Sequence, residues 1–270
     1  MIKGARITII GFGNMGQALA QGFIENGLKP ERIHAIDPDK KALAAAEELG
    51  IDASENLRGM THPPSVVLLA VKPQLMGDVL PELRSLSGET TFFLSIAAGV
   101  KITTLQQHLG EEARVVRAMP NTPAAIGAGM TVLCHSGNLA FQQLALAETL
   151  MGCVGACEWL EAEKLLDAVT AVSGSGPAYF FYLIEAMAKA GEKHGLDKKL
   201  AEKLAVETCY GAGRLASQKR RSTSPQELRA SVMSKGGTTE AAVKALEDGG
   251  FEKLVKQAVD AAVKCGRELG

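Results

Sequence analysis

Gly11-Phe12-Gly13-Asn14-Met15-Gly16 constrains this chain more than any other segment. It follows a short apolar run, Ile7-Thr8-Ile9-Ile10. It precedes a stretch from Asn14 to Asn26 whose Leu19, Phe23 and Ile24 fall on one helical face. In a G-x-G-x-x-G turn between a strand and a helix, each glycine has its own steric task. The first permits the tight turn, the second lets the backbone approach a pyrophosphate, and the third lets helix and strand pack closely. The helix N-terminus then offers free N–H groups and positive dipole to the phosphates. A second apolar run, Arg32 to Ile36, ends at the acidic Asp37, which completes the dinucleotide-binding pattern. Gly11, Phe12, Gly13, Asn14, Met15 and Gly16 are therefore candidate cofactor contacts.

Asp37 has two readings. A carboxylate there accepts hydrogen bonds from ribose hydroxyls and repels a ribose phosphate, which favours NAD over NADP. Lys40 and Lys41 follow at once and are placed to offset such a charge. Asp37 equally fits as the cap of a helix starting at Pro38, a residue suited to the first helical position. The two roles are compatible, and NADP and NAD both stay open.

The strand–helix alternation continues through the first half. Helical stretches are predicted at 38–49, 75–86, 103–109 and 139–151. Strands are predicted at 65–71, 91–96, 114–118, 129–135 and 156–160. Near-continuous apolar strands separated by helices indicate a mostly parallel sheet covered on both faces. From Glu161 onward no strand is expected. Helices are predicted at 164–172, 177–194, 198–219, 225–231, 239–248 and 251–268. An α/β Rossmann-type domain over residues 1–162 and an all-α domain over 163–270 follow from this change of pattern.

Composition narrows the function. Lys and Arg number 29 against 30 Asp and Glu, a net charge of -1, without the basic surplus of a nucleic-acid binder. Aromatic residues are 4%, too few for base-stacking platforms. No apolar stretch approaches the roughly 18 residues of a membrane span. The start of the chain lacks a signal-peptide pattern. Five cysteines without a CxxC pair point to reduced thiols and a cytoplasmic setting, and the scattered histidines to no metal site.

In open α/β sheets, ligands bind beyond the C-terminal ends of the strands. Ala70, Val71, Lys72 and Pro73, then Ala97, then Asn121 stand at three such ends and are further candidate cofactor contacts. Ser175 and Gly176 precede Pro177, where the cap of a long helix is expected. Ser234-Lys235-Gly236-Gly237-Thr238-Thr239 opens another helix, with Thr238 or Thr239 as its cap. Such an N-terminus suits a small carboxylate. No Ser/His/Asp, Cys/His or paired-carboxylate arrangement competes, which fits hydride transfer, where a cofactor supplies the reactive group.

Together these segments resemble the pyrroline-5-carboxylate reductase family over essentially the whole length. The specific ones are Asp167-Ala168-Val169-Thr170, Ser173-Gly174-Ser175-Gly176-Pro177-Ala178-Tyr179 and Gly236-Gly237-Thr238-Thr239. The resemblance implies a Rossmann domain followed by a helical domain that dimerises through interlocking helices, with dimers assembling further into decamers. It implies reduction of a cyclic imine to L-proline with NADPH or NADH, as the last step of proline synthesis. By the same resemblance Asn56 joins the cofactor contacts. Ser175, Gly176, Ser234, Gly236, Gly237, Thr238 and Thr239 become substrate contacts, and the Thr239 hydroxyl lies near the imine nitrogen as the catalytic group. Met233 and Lys235 depart from the family pattern, as does Asp37, where many relatives carry a small hydroxylic residue. Two other readings are a 3-hydroxyacid dehydrogenase of the six-phosphogluconate-dehydrogenase-like type, with Lys189 or Lys193 as acid/base, and a non-catalytic nucleotide sensor.

Overall fold

The structure, a computed structural model, describes residues 2–60 and 62–269. Eight strands form one sheet in the order β3-β2-β1-β4-β5-β6-β7-β8. They are β1 (Ile7–Ile10), β2 (Ile33–Ile36), β3 (Asp52–Ser54), β4 (Val66–Leu69), β5 (Phe92–Ser95), β6 (Val115–Met119), β7 (Gly129–His135) and β8 (Gly155–Trp159). All neighbours run parallel except β6 and β7. β3 is the strand that the sequence pattern misses. Its Asp-Ala-Ser lacks β-branched and aromatic residues, and it exists because β2 offers it an edge to pair with.

Alternation along the strands divides the core in two. Ile9, Val66 and Leu68 face one side, against Leu19 and Phe23 of α1 (Asn14–Glu25), Ala42 and Ala46 of α2 (Lys40–Glu48), and Leu150 of the later helix Phe141–Gly152. Ile10, Val67 and Leu69 face the other, against Leu80 of α3 (Met76–Leu83) and Leu105 of α4 (Ile102–Leu109). Each fully buried Phe or Leu contributes about 1.5–3 kcal/mol. The helix Phe141–Gly152 is α5.

The chain separates into two compact units, Met1–Ser175 with Ala262–Gly270, and Gly176–Ala261. This division differs from the 162/163 boundary read from the loss of strands. The segment after Glu163 is helical yet packs on the sheet unit. Glu163 Oε1 takes the Arg117 guanidinium at 2.5 Å and the Ile102 N–H at 2.8 Å, and Leu166 is buried in the second core cluster. Gly266 lies against the Asp167 side chain.

The helix expected over 164–172 is also subdivided. A short α6 (Leu166–Val169) widens into a π turn, Thr170–Gly174, where Ser175 N–H reaches back to Thr170 O at 2.8 Å. Ser175 and Gly176 therefore do not cap a separate helix. Ser175, with φ -83° and ψ -21°, lacks the extended backbone of a helix cap, and α7 runs Gly176–Lys193. Pro177 has no N–H for the carbonyl four residues earlier, Ser173 O, and that carbonyl accepts from Asn121 Nδ2 at 3.2 Å instead.

In the second unit α7 packs on α8 (Lys198–Lys219) through Ala188, Ala201 and Ala205. α9 (Pro225–Ser231) and α10 (Thr238–Asp248) follow, and α11 (Phe251–Leu269) begins in this unit, its residues from Ala262 grouping with the first. Phe180, Phe181, Tyr182, Leu204, Tyr210 and Leu254 remain exposed in the single chain. No helix among the described residues is long and apolar enough to cross a membrane.

Glu163→Ala is expected to lower unfolding free energy by about 3 kcal/mol, because it leaves the Arg117 side chain, 8% exposed, as an unpaired buried cation. Arg117→Met in the same background should recover much of the loss. Urea unfolding of the single and double variants measures both.

Candidate active site

The turn after β1 is built by contact distances. Gly11 has φ +90, and a Cβ on it would lie 2.9 Å from the carbonyl carbon and oxygen of Ala70. A Cβ on Gly16 would lie 2.5 Å from Gly11 O. These two glycines are required by the fold itself. Gly13 is not. Its φ of -74° suits any residue, and a Cβ there would meet no protein atom within 4 Å. A ligand that needs the bare backbone, as a dinucleotide pyrophosphate does, accounts for glycine at this position. Both backbone groups of Phe12 are held. Its N–H donates to Asp37 Oδ2 at 2.7 Å, and its carbonyl accepts from Gln17 Nε2 at 2.8 Å. Gln17 escapes the sequence pattern because its role depends on the turn's shape.

Asp37 does not cap α2. That helix begins at Lys40, and Asp39 caps it by accepting the Lys41 N–H at 2.9 Å. Asp39, between Pro38 and Lys40, is extended, with φ -83° and ψ 117°, so the helix cannot begin at Pro38. The other carboxylate oxygen of Asp37, Oδ1, accepts the Asp39 N–H at 2.9 Å. The carboxylate is thus pinned between the glycine turn and the start of α2. Asn56 stands two residues past Ser54, the residue paired with Ile36. It accepts the Arg58 N–H at 3.0 Å, and its carbonyl accepts from the Ser54 hydroxyl at 2.8 Å. Asp37 and Asn56 therefore lie beyond the same edge of adjacent strands.

Ala70, Val71, Lys72 and Pro73 leave β4 at that edge, and Lys72 is exposed. Ala97 is buried just past β5. Asn14 and Met15 begin α1, with their N–H groups free of intrahelical acceptors. Asn121 differs from the other candidates. Its carboxamide is committed inside the protein, accepting Met130 N–H at 2.8 Å and donating to Ser173. It braces the turn after β6 against the π turn.

The candidate substrate loop lies in the second unit. Gly236, with φ +76, and Gly237 fold the chain so that the Gly237 N–H donates to Ser234 O at 2.9 Å. Neither Thr238 nor Thr239 is the cap of α10. Gly237 holds that position without a side-chain bond, since the close turn at Ser234 places the threonines already inside the helix. Their N–H groups are at its open first turn, with Thr239 half-buried. Glu240 reaches back to accept the Gly236 N–H at 2.7 Å. A glutamate three residues into a helix is a sequence signal for such a reach, and it passed unused.

Comparison with known proteins matches residues 163–269 to the family model described as pyrroline-5-carboxylate reductase dimerisation. Residues 6–99 match one described as NADP oxidoreductase coenzyme F420-dependent. A pyrroline-5-carboxylate reductase of Pseudomonas aeruginosa is 42% identical over 265 residues, covering 98% of this chain and 96% of that one. The structure of a pyrroline-5-carboxylate reductase from Coxiella burnetii superposes with a TM-score of 0.92 at 39% identity, covering 98% of each chain. The Plasmodium falciparum pyrroline carboxylate reductase, solved with NADP bound, gives 0.88 at 28% identity over 99% of each chain.

The glycines separate ligand from fold. Gly13→Ala is expected to change unfolding free energy by less than about 1 kcal/mol while weakening dinucleotide binding at least tenfold. Gly16→Ala is expected to cost about 1–3 kcal/mol through the clash with Gly11 O. Thermal unfolding and nicotinamide fluorescence titration of both variants distinguish the two effects.

Proposed function

The chain belongs to the pyrroline-5-carboxylate reductase family, and from that premise we infer that it reduces pyrroline-5-carboxylate to L-proline with NADH or NADPH. It is an oxidoreductase of the CH–NH type and the last step of proline biosynthesis. The single observation that carries the cofactor half of this reading is Gly13, a glycine that neither backbone conformation nor packing requires. When bound, the nicotinamide supplies the hydride to the imine carbon.

The protein's own residues then have defined tasks. The turn Gly11–Gly16, with Asp37, Asn56, Ala70–Pro73 and Ala97, holds the dinucleotide along the strand ends. Asn121 supports that edge through its bonds to Ser173 and Met130. The loop from Ser234 to Thr239 takes the substrate carboxylate on the open N–H groups of α10. Thr239 sets its hydroxyl at the imine nitrogen, where it orients the ring and steadies a proton. No strong general acid is needed where the imine arrives protonated, so the chain contributes chiefly by positioning. Lys235 within this loop and Met233 just before it tune its rigidity.

The functional domains are residues 1–162 for cofactor and 163–270 for substrate and dimerisation. The exposed aromatic and aliphatic side chains of α7 and α8 supply the surface for a homo-oligomer. Assembly of dimers into a decamer and residence in the cytoplasm complete the reading. The 3-hydroxyacid dehydrogenase alternative is disfavoured by its own candidate. Lys189, one of its two candidates, is exposed and ion-paired with Glu185 on the same helix.

Purified protein should oxidise NAD(P)H on addition of pyrroline-5-carboxylate. Cofactor binding without turnover would favour the sensor reading. Thr239→Ala should lower kcat about tenfold or more, roughly 1.4 kcal/mol of transition-state stabilisation, with cofactor affinity nearly unchanged. Unchanged turnover would remove Thr239 from the site.

A further inference from the structure

We propose that this chain prefers NADH to NADPH, and that Asp37 is the discriminating residue. The proposal rests on the dinucleotide reading of the glycine turn and goes beyond it to the choice of nucleotide.

Three observations carry it. First, Asp37 is not consumed by helix capping, because Asp39 does that work. Second, its carboxylate is fixed. Oδ2 holds the Phe12 N–H at 2.7 Å and Oδ1 holds the Asp39 N–H at 2.9 Å. Swinging it away from an incoming phosphate would strip the acceptor from Phe12, whose side chain is fully buried under the glycine turn. Each oxygen keeps a second lone pair, enough to accept from a ribose hydroxyl. Third, no cation neutralises it. Among the described residues no ion pair includes Asp37. Lys40 and Lys41 are exposed on the first turn of α2, and Arg58 is exposed beyond β3.

A 2′-phosphate at this edge would meet a pinned negative charge at short range, with only exposed lysines to offset it. A 2′-hydroxyl would instead meet two free acceptor sites. Asp37 discriminates by charge and by hydrogen bonding, without touching the reacting atoms.

Binding decides the matter independently of turnover. Nicotinamide fluorescence titrations of the full chain with NADH and with NADPH should give at least tenfold tighter binding of NADH. The ratio should shrink as salt screens the repulsion. Asp37→Ser should shift the NADH-to-NADPH affinity ratio at least tenfold toward NADPH. Asp37→Asn keeps an acceptor for Phe12 while removing the charge, and serves where the serine variant folds poorly. A Lys40→Ala, Lys41→Ala double variant should leave NADH affinity unchanged. Equal or tighter NADPH binding by the unmodified chain overturns the proposal, as does an affinity ratio unmoved in both folded Asp37 variants. Failure of both nucleotides to bind overturns the dinucleotide reading beneath it.

Discussion

The close approach of the Gly11–Gly16 turn to the end of β4 is the constraint on which the rest of this molecule depends. Gly11 sits where a Cβ would strike the Ala70 carbonyl, and Gly16 sits where one would strike Gly11 O. β1 lies between β2 and β4, so this contact falls in the interior of the sheet. It brings the N-terminus of α1 down onto the strand ends, and it packs α1 through Leu19 and Phe23 against Ile9. The same absence of side chains that permits tight packing leaves an open backbone surface at Gly13. Fold and cofactor site are thus one arrangement seen from two sides.

Around that turn the protein spends polar side chains on holding shape. Asp37 and Gln17 clamp the two backbone groups of Phe12. Asn121 ties the turn after β6 to the π turn, using a carbonyl that Pro177 leaves without its helical donor. Glu163 joins Arg117 to the first N–H of α4. All but the Gln17 bond join segments far apart in sequence. Glu240 does the equivalent for the substrate loop within its own unit.

Much of this was legible in the chain. The period of the apolar runs marks seven of the strands, and the glycine spacing with Asp37 marks the candidate dinucleotide site. The Gly236-Gly237-Thr238-Thr239 segment marks the start of α10 to within one residue. What was not legible has common causes. β3 forms because a neighbour offers an edge, not because Asp-Ala-Ser favours extension. The start of α2 depends on which of two aspartates meets a free N–H, a choice of two residues that composition cannot make. The stretch 163–175 reads as the beginning of the helical half, yet its bonds to Arg117 and Ile102 bind it to the sheet unit.

The sequence by itself determined the class of fold and the strand–turn–helix of the candidate cofactor site, because these rest on periodicity and on local steric tolerance, while the family was legible through the resemblance of its motifs. Periodicity and steric tolerance act over a few consecutive residues. Only the tertiary structure decided that Asp37 is pinned and in no ion pair among the described residues, that Asn121 braces rather than reaches outward, and that Gly13 alone among the three turn glycines has no structural need. Those conclusions depend on distances between residues remote in the chain, and such distances exist only once the sheet has brought its strand ends into line.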